Sequence, residues 1–159
     1  MNVRIVCVGK LKESFYEDAQ KEFVKRLGRF GGVEITELPD EKAPENLSAA
    51  QQQQVMEREG ERILRALRQE DRVIALAIGG KRYTSEAFSE HLTALRDGGT
   101  RSAAFVIGGS LGLSKAVLDR ADEKLSLSDM TFPHRIARIV LLEQIYRAFK
   151  IDANEPYHK

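Results

Sequence analysis

One device recurs along this chain and limits what it can fold into: a short apolar run, a turn, then a helix opened by a capping side chain. VRIVCVG (3–9), RVIALAIGG (72–80) and AAFVIGG (103–109) are near-continuous apolar runs, the pattern of strands covered on both faces. VEITEL (Val33–Leu38) alternates, as a half-exposed strand does, and EKLSLSDMTF (123–132) supplies a fifth, weaker strand. Helix signals separate them. Ser14 with Glu17 predicts a capping box for a helix closing near Leu27 and Gly28, and Ser48 with Gln51 opens a long helix to about Leu67. Ser85 caps a helix closed by Gly98 and Gly99, and Ser114 caps a short one. Pro133 suits the first position of a last helix running to about Ile151, where its missing N–H costs nothing. Strand and helix alternate five times, which predicts an α/β fold with a mainly parallel sheet between helices.

At 159 residues, 42% hydrophobic and 31% charged, with no Gly/Ser linker, the chain reads as one compact domain over 1–159. Its apolar runs are too short for a secretory core or a membrane span, so a cytoplasmic protein with no membrane partner is expected. Cys7, the single cysteine, leaves no internal disulfide or multi-thiolate metal site; it reads as a small core residue, with a reactive thiol as the alternative. A net charge of +1 lacks the broad basic surface of a protein that binds nucleic acid by charge alone, although a local patch is compatible with it. The charged loop PDEKAPEN begins at Pro39, and the run Gln51–Gln54 sits inside a helix, where glutamine is a good helix former.

The last helix carries a packing message. Ile136, Ile139, Val140, Leu141, Leu142, Ile145, Tyr146 and Phe149 point around nearly the whole circumference at about 100° per residue. Such a helix is either central in a small domain or lies between its own sheet and a second subunit; the second reading is preferred.

In an open parallel sheet, ligands bind beyond the carboxyl ends of the strands. There the chain places IGGK (78–81), IGGSLG (107–112) and LSDMTFPH (127–134), and two similar glycine turns with a polar, proline-terminated third predict a ligand pocket. Gly108, Gly109 and Gly112 miss the GxGxxG spacing, and Leu113 and Ser114 follow where a Walker motif needs Lys then Ser/Thr. A dinucleotide or triphosphate is disfavoured. An adenine held by backbone groups and apolar surface stays open. His91, His134 and His158 are scattered, which argues against a metal, and no GxSxG elbow occurs. His91 is placed on the exposed side of a helix, whereas His134 could cap, contact ligand or bind phosphate. Arg135, Arg138, Arg147 and Lys150 lie along the last helix, and Pro156, Tyr157, His158 and Lys159 form a tail able to close over a base if another subunit holds it.

VGKLKE after the first strand, PDEKAPEN after the second, the two IGG turns, LSDMTFPHRIARIVLLEQIYRAFKI and the terminal YHK resemble the ribosomal RNA large-subunit methyltransferase H family of the SPOUT class, over essentially the whole chain. The resemblance implies a homodimer whose carboxyl-terminal part forms a deep trefoil knot, a topology that general rules disfavour. It further implies methyl transfer from S-adenosyl-L-methionine to the ring nitrogen between the carbonyls (N3) of a pseudouridine in large-subunit (23S) rRNA of the assembled ribosome. Carried onto this sequence, the cofactor-binding residues are Leu76, Gly108, Leu127, Ser128, Asp129, Met130, Thr131 and Phe132, with Gly108 and Gly109 letting backbone approach the cofactor. The candidate catalytic residues are His158 as proton acceptor or donor, Tyr157 as stacking platform and Arg138 as a phosphate or carbonyl contact, the tail reaching from one subunit to cofactor in the other. A non-catalytic adenosine-ligand or ribosome-binding factor of the same fold is the alternative, and a nucleotide-binding hydrolase a third reading.

Overall fold

The computed structural model describes residues 1–42 and 44–159; residue 43, in the charged loop after Pro39, lies outside the described residues. The elements run β1 (Asn2–Val8), α1 (Ser14–Leu27), β2 (Val33–Leu38), α2 (Ala49–Ala66), β3 (Asp71–Lys81), α3 (Ser85–Asp97), β4 (Ser102–Ile107), α4 (Lys115–Arg120), β5 (Glu123–Leu125) and α5 (His134–Asp152). The strands form one sheet in the order β2-β1-β4-β3-β5, with every pairing parallel. This is the α/β arrangement that the alternation predicts.

Period-2 alternation divides the interior into two cores. Val3, Ile5 and Cys7 of β1 join Phe105 and Ile107 of β4 under α1, α3 and α5, while Val6, Val8, Val73 and Val106 meet Ile63 of α2 and Val117 of α4 on the other face. Strands β1 and β4 have partners on both sides and helices on both faces, which is why their sequences are apolar almost throughout. The exception is Arg4, buried in β1. Its guanidinium pairs with buried Asp71, which also accepts from Ser102 Oγ at 2.7 Å and from the Arg68 N–H at 2.8 Å. That network ties β1, β3 and β4 together at the amino end of the sheet.

Ser48 and Gln51 form the expected capping box, and Ser114 caps α4. Two caps differ. α1 begins after Glu13 with no side-chain cap, Ser14 being its first helical residue, and α3 is capped by Thr84, whose hydroxyl accepts the Ala87 N–H at 3.1 Å. In α3 the adjacent hydroxyls of Thr84 and Ser85 are chemically equivalent as caps, so backbone geometry decides between them. Pro133 stands at the cap of α5, one place before the helix proper. β5 is only three residues long; its pairing with β3 shifts register from Leu76 to Lys81 at Leu125, and the Ser126 N–H donates to the Lys81 carbonyl at 2.9 Å.

α5 packs between α1 and α3. Leu141, Leu142 and Ile145 are fully buried against the sheet, each contributing about 1.5–3 kcal/mol. Ile136, Ile139 and Val140 remain half-buried on the outward side, so the apolar circumference serves the sheet, the flanking helices and an outward stripe.

Candidate active site

Because the strands are parallel, their carboxyl ends share one rim. On β3, Ala75 lies opposite Val106 of β4 and Leu76 opposite Leu125 of β5. That register sets Leu76 beside the strand end that leads into Gly108 and the strand end that leads into Leu127–Phe132. The latter loop is fastened at its root: Ser126 Oγ donates to the Ser128 carbonyl at 2.9 Å, Ser128 Oγ accepts the Met130 N–H at 3.0 Å, and Asp129 pairs with Arg82. Leu127 and Ser128 are half-buried, whereas Asp129, Met130, Thr131 and Phe132 are exposed. Among the described residues, no other backbone N–H of Leu127–Phe132 is bonded within the chain. Ile78, Met130 and Phe132 are three of the four large apolar side chains exposed among the described residues, and all three stand on this rim.

The glycines have internal reasons that the sequence reading missed. A Cβ on Gly108 would lie 2.8 Å from the backbone of Gly112, and one on Gly109 would lie 2.8 Å from the Glu59 carboxylate. Part of the close approach they permit is thus to the chain itself. Gly80 similarly lies against the backbone of Lys124 and Leu125, where a Cβ would sit 2.6–2.7 Å away.

Beside the rim a cleft of about 240 Å³ opens between the start of α3, the end of β5 and α5, lined by Tyr83, Ser85, Phe88, Leu127, Val140 and Gln144 among others. Leu127 is the only expected cofactor residue on its wall. Ser85 Oγ donates to Gln144 Oε1 at 2.9 Å, and Gln144 Nε2 donates to Glu143 at 2.7 Å. Glu143 leads to the tail. It accepts from the Tyr157 hydroxyl at 3.1 Å and pairs with Arg147, whose guanidinium lies 4.7 Å from the centre of the Tyr157 ring. Burial, reinforced by Glu143, pushes the Tyr157 pKa up, so its hydroxyl stays a donor. His158 is held from both sides: Nδ1 faces Arg147 at 3.2 Å and Nε2 faces Glu86 at 2.7 Å. Arginine can only donate, so Nδ1 accepts and the proton resides on Nε2. The tail thus rests on α3 and α5 of its own chain. Glu86 and Glu143 were not expected in this cluster; the available cue was the Glu143–Arg147 pair, four residues apart on the last helix.

Arg138 differs from expectation. Its side chain is 1% exposed, and it donates to the Gly9 carbonyl at 2.9 Å, to Glu37 at 2.6 Å and to Gln20 at 3.2 Å. A guanidinium engaged this way joins α5 to β1, β2 and α1 and presents no edge to a substrate phosphate. His134 is half-buried near Gly9, with its pKa lowered by burial and by the neighbouring Arg135 and Arg138 cations. His91 is likewise not on an exposed face: it is half-buried and bonds Glu123 at 2.6 Å. Among the described residues, no group of three His, Cys, Asp or Glu side chains could hold a metal ion, and no helix is long and apolar enough to cross a membrane.

This arrangement matches known proteins over its full length. A family model described as "Predicted SPOUT methyltransferase" matches residues 1–158. The chain is 55% identical to the ribosomal RNA large subunit methyltransferase H of Bacillus cytotoxicus and 53% identical to that of Lactobacillus johnsonii, in each case over 100% of both chains. A solved structure of a probable methylase family protein from Haemophilus influenzae superposes with a TM-score of 0.55 at 15% identity, covering 99% of this chain and 70% of that one, a likeness of fold alone. With relatives more than half identical from end to end, the chain belongs to the SPOUT methyltransferases, in the ribosomal RNA large subunit methyltransferase H family.

Proposed function

We propose that this protein is an S-adenosyl-L-methionine-dependent methyltransferase acting on N3 of a pseudouridine in 23S rRNA, on the assembled ribosome in the cytoplasm. The end-to-end identity with proteins named ribosomal RNA large subunit methyltransferase H carries the reading. The rim supports it: Leu76, Gly108 and Leu127–Phe132 lie around one edge, with apolar side chains to cover an adenine and backbone N–H groups left to donate. Those residues would hold the cofactor. When bound, it supplies an electrophilic methyl on a sulfonium sulfur.

Two further features belong to the proposal. A trefoil knot in the carboxyl-terminal part is the first, and the close passage of Gly80 against Lys124–Leu125, with Ser126 bonded to Lys81, is compatible with a tight chain path there. The outward stripe Ile136, Ile139 and Val140 suits a homodimer interface, and a second chain seated there would complete the site.

The chain's own task is orientation and proton management. Tyr157 offers a ring on which a base can stack. With the cofactor bound, methylation would require N3 to give up its proton. His158 takes that proton at Nδ1 once Arg147 releases it. Arg138 acts from within, holding the start of α5.

Methyl-deficient ribosomes incubated with radiolabelled S-adenosylmethionine should acquire label in large-subunit rRNA. His158→Ala should slow single-turnover methylation by about 10²–10⁴-fold; an unchanged rate removes His158 from the chemistry. Cofactor binding without any transfer would instead favour a non-catalytic ribosome-associated factor.

A further inference from the structure

The pair Glu59–Gly60 in α2 explains itself only in part through packing. Glycine is unfavourable inside a helix, yet Gly60 is buried where α2 meets α4, and any side chain there would press into the Ser114 hydroxyl. The missing side chain lets α2 lie close, and that closeness delivers the adjacent Glu59 to the rim. Glu59 is 4% exposed. Its Oε2 accepts the Glu41 N–H at 3.0 Å from the loop after β2, while Oε1 is buried with no partner. Both oxygens lie within 2.8–3.1 Å of where a Cβ of Gly109 would stand, behind the turn after β4. Burial pushes the Glu59 pKa up; the Glu41 N–H and Arg62 oppose this, and the charges of Asp40 and Glu41 add to it. A buried, half-satisfied carboxyl is costly, and an apolar side chain of that size would pack more cheaply.

We infer that Glu59 is a positioning residue for cofactor binding: its carboxyl, anchored to the loop after β2 through the Glu41 N–H, braces Gly109 from behind by contact. It acts through the turn and touches no ligand. The inference rests on the reading above that this turn holds S-adenosylmethionine.

The test is calorimetric titration of S-adenosylmethionine and S-adenosylhomocysteine into wild type, Glu59→Gln, Glu59→Asp, Glu59→Ala and Gly109→Ala, with a thermal melt of each. Glu59→Gln keeps both reach and an acceptor for the Glu41 N–H, and should bind within about threefold of wild type. Glu59→Asp, one methylene short, and Glu59→Ala should weaken binding about tenfold, the scale of one lost buried hydrogen bond. Gly109→Ala should weaken it similarly, but not in a Glu59→Ala background, where the colliding carboxylate is gone. Wild-type affinity in Glu59→Asp and Glu59→Ala, with only the melting temperature lowered, overturns the inference, as does Glu59→Gln failing as badly as Glu59→Ala. Should Glu59→Ala not fold, Glu59→Asp and Gly109→Ala decide. No binding by wild type would sink the cofactor reading itself and the inference with it.

Discussion

Replacing Gly60 by alanine sets two effects of known size against each other. Inside a helix the change is worth about 1 kcal/mol in favour of alanine. Against that, the new methyl would press on the Ser114 hydroxyl and lie 3.0 Å from its Cβ and 3.3 Å from Val117 Cγ2, in a packed contact between α2 and α4. Overpacking of this kind costs about 1–3 kcal/mol. Displacing the hydroxyl also removes its bond to the Val117 N–H, which caps α4 and is worth about 1 kcal/mol. The net expectation is a loss of about 2 kcal/mol, or a melting temperature about 4–8 °C lower for a chain of this length. Scanning calorimetry at fixed protein concentration would measure it. Ser114→Gly clears the obstruction and costs little at a cap, so Gly60→Ala in that background should be neutral or stabilising. If Gly60→Ala alone melts at or above wild type, helix propensity outweighs the contact and the close approach of α2 does not depend on glycine.

Arg138→Met should lower stability by about 2–3 kcal/mol in urea unfolding, since the Gly9 carbonyl loses its donor while Glu37, a third exposed, is partly rescued by water; a variant of full stability but reduced methylation would restore Arg138 to the substrate. The fold holds the His134 pKa below the ordinary 6.5, so as pH falls the unfolded chain takes up the proton first. Stability should therefore decline as pH drops below about 6.5, and His134→Gln should flatten that decline in urea titrations at pH 7.5 and 5.5. Cys7 is 1% exposed, with burial pushing its thiol to about 11, so a disulfide reagent at pH 8 should label it only after denaturant is added.

Local pattern accounts for much of the architecture. Burial on both faces leaves its mark on every residue of a strand, so VRIVCV and AAFVI could be recognised as interior without reference to the rest of the chain. The rim was readable for the same kind of reason, because parallel strands put all their carboxyl ends on one edge. The tail's aromatic, imidazole and cation also stood out, although their partners Glu86 and Glu143 did not.

What stayed hidden depended on which distant segments meet. Arg4 looks misplaced in an apolar strand until Asp71, 67 positions away, is brought beside it. Arg138 reads as one cation on a charged helix face, yet it is turned inward onto Gly9 and Glu37. Gly109 reads as a turn residue, and its actual constraint is the Glu59 carboxylate. Periodicity and capping report how a residue sits relative to its own helix or strand, and composition along this chain was enough for that. Which strand lies next to which, in the order β2-β1-β4-β3-β5, is settled only when the two cores pack, and with it the partner of each buried charge.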